Sequence, residues 1–181
     1  MPMGKSVLQA VAAALLLAGV MTLGDFVWAT FHVRHRALYG VAHGAVMCFF
    51  IGAIVGARTG RIAAGTAAGL LIGVAAAGLF YLLAPVMRLG AMLPAWMLFW
   101  TLFAILQRQL SVVDMRESAW RTRCRGLAAA VLSGMAFYAI SDIWTRHEPG
   151  GPNYVVHFAS WCIAFLPGFV ALFAARRTVR R

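Results

Sequence analysis

Residues 62–85, "IAAGTAAGLLIGVAAAGLFYLLAP", run for 24 positions without a charged side chain. A helix rises about 1.5 Å per residue, so this run reaches about 36 Å, enough to cross roughly 30 Å of hydrocarbon. A run so long and so rich in glycine and alanine reads as a membrane span. Its small residues predict close helix packing or a dimer face rather than a nucleotide loop.

Five further runs of similar length flank it, at about 6–31, 37–57, 90–106, 126–145 and 154–174. Composition agrees: 62% of the residues are hydrophobic and 12% charged, and the mean hydropathy is +0.82. Soluble domains hold about 45–50% apolar residues, so a water-facing surface cannot be built from this chain. The predicted fold is an all-α integral membrane protein, one transmembrane domain over residues 1–181, forming a compact bundle of about six helices. Pro94 falls inside the fourth run, where a proline is tolerated in the first turns of a helix. Lys5 followed by an apolar run resembles a secretory signal, but the run is longer than a usual signal core, and the first helix is expected to stay uncleaved.

The 16 Lys and Arg against 5 Asp and Glu give a formal charge of +11. Twelve of the basic residues fall on the amino-terminal side of the predicted membrane and four on the other. That bias places both termini in the cytoplasm of a bacterial-type inner membrane. The charge therefore orients the chain and meets anionic lipid headgroups, and it calls for no nucleic-acid partner. Membrane lipids are the expected partners, with a homo-oligomer through the Gly/Ala-rich third helix as a further expectation. Cys48, Cys124 and Cys162 are too few and too scattered for a disulfide framework, and read as small packing residues.

Ionisable chemistry gathers on one side. "GDFVWATFHVRHRALYGVAHG" (24–44) holds Asp25, Trp28, Tyr39 and His43, and "SDIWTRHEPGGPNYVVH" (141–157) holds Asp142, Trp144 and His157. His32, His35 and His147 lie in or beside the connecting loops. Asp25 falls about six residues before the end of the first helix and His43 about six after the start of the second, so both lie about 9 Å inside the outer boundary. Asp142 and His157 share nearly that level. Each stretch gives Asp, Trp, Tyr, His and a Cys five residues later, which makes hairpins 1–2 and 5–6 candidates for a pseudo-twofold repeat. Tyr39, His43 and Met47 make one stripe of the second helix, and Asn153, His157 and Trp161 one stripe of the sixth. Such stripes are expected to face the bundle interior or a wet cavity, because an aspartate in lipid costs at least about 2.5 kcal/mol at mid-membrane.

The simplest use of an Asp facing a His across a hairpin is interhelical glue, and Trp28 and Trp144 fit an interfacial aromatic belt. Three active readings stand beside these. The first is a proton- or cation-linked transporter or permeation protein for a small solute, with Asp25, His43, Asp142 and His157 as the binding layer and Tyr39, Trp28 and Trp144 around it. The second is a haem or transition-metal protein with His43 and His157 as ligands. The third is an intramembrane enzyme acting on a lipid or isoprenoid. No HExxH, paired CxxC, GxSxG or Walker motif is present, so hydrolase, thiol-redox and ATPase chemistry have no sequence support.

Overall fold

A computed structural model describes residues 3–31, 35–111, 118–145 and 153–174, with the side chains of Met3, Arg36 and residues 140–145 outside the description. The described chain is helical almost throughout. Its elements are α1 (Met3–Phe31), α2 (Arg36–Thr59), α3 (Ile62–Met87), a short 3-10 turn (Arg88–Ala91), α4 (Met92–Leu110), α5 (Ala119–Thr145) and α6 (Tyr154–Phe173). The expected boundaries hold to within a few residues except at the start of α5. That helix begins seven residues early, through a stretch holding Arg121, Arg123 and Arg125. Arginine is a good helix former, and its long stem lets a helix extend beyond the apolar layer.

Among the described residues four stretches are long and apolar enough to cross a membrane: Gly4–Phe31, Ala37–Thr59, Ile62–Leu110 and Tyr154–Phe173. This is compatible with a helical membrane bundle, and it meets the expected six separate spans only in part. The α3 and α4 segments join through the 3-10 turn into one helical run, and α5 with its arginines is not among the four. Arg88 ends α3 at φ 51°, a positive value uncommon for a residue with a side chain. Beyond it α4 packs back on α3. Pro94 is the third residue of α4, inside the first turn, where its missing N–H leaves no helical bond broken.

The helices form a ring in chain order that closes where α6 meets α1, and α4 also reaches α2 and α6. The inner face of α4 is aromatic: Phe99, Trp100 and Phe103 are fully buried. Trp96 of α4 stacks on Phe165 of α6 at 5.7 Å and 6°, and Phe165 stacks in turn on Trp161 at 5.4 Å. These flat contacts bury large area with a geometry aromatic pairs favour. Pro167-Gly168 reads from sequence as a kink, but Gly168 has a second purpose: a side chain there would run into the Trp100 ring and Ser133 Oγ.

The predicted small-residue face of α3 packs inside the chain. Gly65, Gly69 and Gly73 are buried against Gly44, Cys48, Gly52 and Gly56 of α2. A methyl group on Gly69 would lie 2.9 Å from the Gly52 Cα, and one on Gly65 2.7 Å from the Gly56 Cα. Only glycine permits backbones to approach this closely. The other face of α3 carries exposed leucines, among them Leu71 and Leu82, so an oligomer through helix 3 would have to use that face.

The proposed repeat gains no support from the packing. Helix α5 lies along α6, whereas α1 lies along α6 and touches α2 only lightly. At the end holding the α4 and α6 C-termini, two arginines tie helices together. Arg125 donates to Gln107 Oε1 at 3.0 Å and to the Leu172 carbonyl at 2.6 Å. Arg58 donates to Gln9 and lies over the Phe173 ring, 3.9 Å from its centroid. Cys48, Cys124 and Cys162 are all free thiols, and Cys48 is fully buried.

Candidate functional site

Asp25 stands on α1 about two turns before the helix ends at Phe31, and its partners come from α6 rather than from the adjacent α2. Trp161 Nε1 donates to Asp25 Oδ2 at 2.8 Å, and His157 Nδ1 meets the same oxygen at 3.1 Å. The stripe that spaced His157 and Trp161 one turn apart thus delivers two donors to one carboxylate. An ionised Asp25 requires the proton of His157 on Nδ1. Both groups are largely shielded, with side chains 27% and 18% exposed. A shielded carboxylate is costly unless hydrogen-bonded, and the indole and imidazole provide the bonds. Among the described residues, Asp25 Oδ1 takes no partner.

This corrects the expected pairing of Asp25 with His43. His43 instead packs against Gly24, where an added methyl would sit 2.6 Å from its Cε1. Tyr39 donates its hydroxyl to the Gly24 carbonyl, and Trp28 meets the Tyr39 ring edge-on at 4.4 Å. Gly24 is therefore the contact through which α1 and α2 approach, and its place just before Asp25 is its only sequence signal. Rings continue the cluster: Tyr39 to His43 at 5.8 Å and His43 to Trp161 at 6.3 Å between centroids.

A cavity of about 270 Å³ opens beside these groups. Asp25, Tyr39 and His43 form its polar end, and Met47, Phe99 and Phe137 are among its apolar walls. Trp28 lines it too. Sequence reasoning missed Tyr81 and Gly40. Tyr81 of α3 lines the cavity with its hydroxyl filling the space a side chain at position 40 would occupy. Neither residue lies on a polar stripe, and no pattern within one helix signals that meeting. Thr22, three residues before Asp25 on α1, has a buried hydroxyl that takes no partner among the described residues.

The side chains of Asp142 and Trp144, and residues His32 and His147, lie outside the described residues. His35 precedes α2 and is exposed. For the metal reading, His43 lines the cavity while His157 backs Asp25 from behind its lining. Among the described residues no three of His, Cys, Asp and Glu come together as a metal centre would need. Comparison with family models, curated proteins and solved structures gives no significant match. The chemistry must therefore be read from the geometry. One carboxylate, held by an indole and an imidazole at the edge of an apolar cavity, can exchange a proton or take the head of an apolar cation.

Proposed function

We propose that this chain is a small multi-pass carrier of a bacterial-type inner membrane, with six spans and both termini in the cytoplasm. It moves a largely apolar solute with a cationic head in exchange for protons. The observation that carries this reading is Asp25, a shielded carboxylate at the polar end of a largely apolar cavity, both of whose bonds fall on one oxygen. A carboxylate in such surroundings is tolerated only when something neutralises or bonds it, and a proton or a solute cation serves equally. The two therefore compete for one group, which is the minimum needed to couple their movements. The apolar walls give affinity for the body of the solute, and the carboxylate end selects its charge. His157 exchanges the proton with Asp25 across their 3.1 Å contact. Asp142, placed by sequence at nearly the same depth, is the second candidate carboxylate of this layer.

Tetraphenylphosphonium, an apolar cation, is the probe. Added to the purified protein in weakly buffered detergent, it should bind and release about one proton per molecule bound. Asp25→Asn should remove the proton release and weaken binding at least tenfold. Binding without proton release, or undiminished binding by the Asn variant, would overturn the proposal.

A further inference from the structure

At the opposite end of the bundle, Arg108 in the last turn of α4 and Arg123 near the start of α5 line a cavity of about 300 Å³, together with Ile105, Gln109, Ala119 and Thr122. Among the described residues no carboxylate lines it, and neither arginine makes an ion pair there. Two guanidinium groups bordering one space give it a positive potential that favours an anion between them. Two other arginines at this end of the bundle are engaged elsewhere: Arg125 holds Gln107 and the Leu172 carbonyl, and Arg58 holds Gln9.

We infer that this cavity binds a phosphate-type anion, the phosphodiester of an acidic lipid headgroup. Guanidinium groups match phosphate oxygens with paired, charge-assisted bonds. The Gln109 amide stands beside them as a further donor. The Thr122 hydroxyl is already fixed on the Ser118 carbonyl at 3.3 Å, so it shapes the wall. A lipid source is favoured by Trp120, 71% exposed and next to Ala119 of the lining. Indoles sit at the headgroup level of a bilayer, and basic pockets between helices on the cytoplasmic side hold acidic headgroups. The Ile105 side of the cavity is apolar, as an acyl chain leaving the headgroup would require. This site lies at the other end of the bundle from Asp25 and depends on the membrane reading alone.

The test is the melting midpoint of the full chain in neutral detergent, titrated separately with phosphatidylglycerol, phosphatidylcholine and inorganic phosphate. Phosphatidylglycerol should raise the midpoint. Arg108→Gln or Arg123→Gln should each weaken its apparent affinity about tenfold, and the double variant should abolish the response. Arg121→Gln, outside the lining, should leave it intact. A matching response to inorganic phosphate, lost in the double variant, assigns the same anion chemistry to a soluble source. Equal shifts with phosphatidylcholine, or a full phosphatidylglycerol response in the double variant, overturn the site. Native mass spectrometry of the unaltered protein needs no variant: it should retain phosphatidylglycerol over phosphatidylcholine, and equal retention counts against the site.

Discussion

Trp161 on the last helix donates its indole N–H to the carboxylate of Asp25 on the first, at 2.8 Å. The bond links the two ends of the chain through a shielded carboxyl group, and its removal is informative. Trp161→Phe keeps most of the aromatic packing but leaves the carboxylate short of a donor, at a cost of about 1–3 kcal/mol. Asp25→Asn keeps size and much of the bonding, and should cost about 1 kcal/mol or less. The expected order of melting temperatures is therefore wild type, then Asp25→Asn, then Trp161→Phe, followed by circular dichroism in detergent. A Trp161→Phe variant as stable as wild type would show that the contact carries no weight.

The glycines of α3 divide into two kinds. Gly69 lies against the α2 backbone, so Gly69→Val forces the two helices apart and should lower the yield of folded protein sharply. Gly78, on the same helix, has nothing within 4 Å of an added methyl. There Gly78→Ala should be neutral or slightly stabilising, since alanine favours the helix by about 1 kcal/mol. Monodispersity on a sizing column separates the outcomes, and equal behaviour of the two variants would contradict the α2–α3 interlock.

Arg125 is both a charge and a brace. Arg125→Gln should destabilise the bundle, because Gln107, 3% exposed, loses its partner and the α6 end loses a donor to its carbonyl. Arg125→Lys should recover only part of the loss, since an ammonium cannot reach both acceptors with a guanidinium's fixed fork. Arg121→Gln should melt as wild type does. Parallel melts of the three variants check this, and full stability of Arg125→Gln would reduce the residue to an orientation charge.

Orientation has its own test. Reporters fused after Arg181 and within 107–125 should read as cytoplasmic, and one within 147–152 as extracytoplasmic. A cytoplasmic signal from the 147–152 fusion would be incompatible with the six-span topology.

The apolar runs were legible because a span is a sum over about 20 residues, and no single substitution hides it. The polar layer was legible for a related reason: depth follows from counting residues to a helix end. What stayed hidden is which neighbour each face meets. Helical periodicity put His157 and Trp161 on one stripe of α6, but it carries no information about the angle between helices. Chain proximity pointed to His43 as the partner of Asp25, and packing chose His157. The glycines of α3 likewise announced a close approach without naming α2. Arg121–Arg125 looked like loop because charge suggests water, whereas arginine continues a helix readily.

The closure of the ring by α1 and α6 bears on how the protein is made. Asp25 emerges from the ribosome 132 residues ahead of His157, an interval of roughly ten seconds at ordinary synthesis rates. Throughout that time the first helix carries a carboxylate whose bonding partners do not yet exist. The nascent chain must keep Asp25 near the water boundary until the sixth helix arrives. A ribosome-stalled chain ending before residue 154 should therefore leave α1 open to extraction or proteolysis, and one that includes α6 should protect it. The site is thus also the step that completes assembly, and quality-control proteases would read its absence as an unfinished protein.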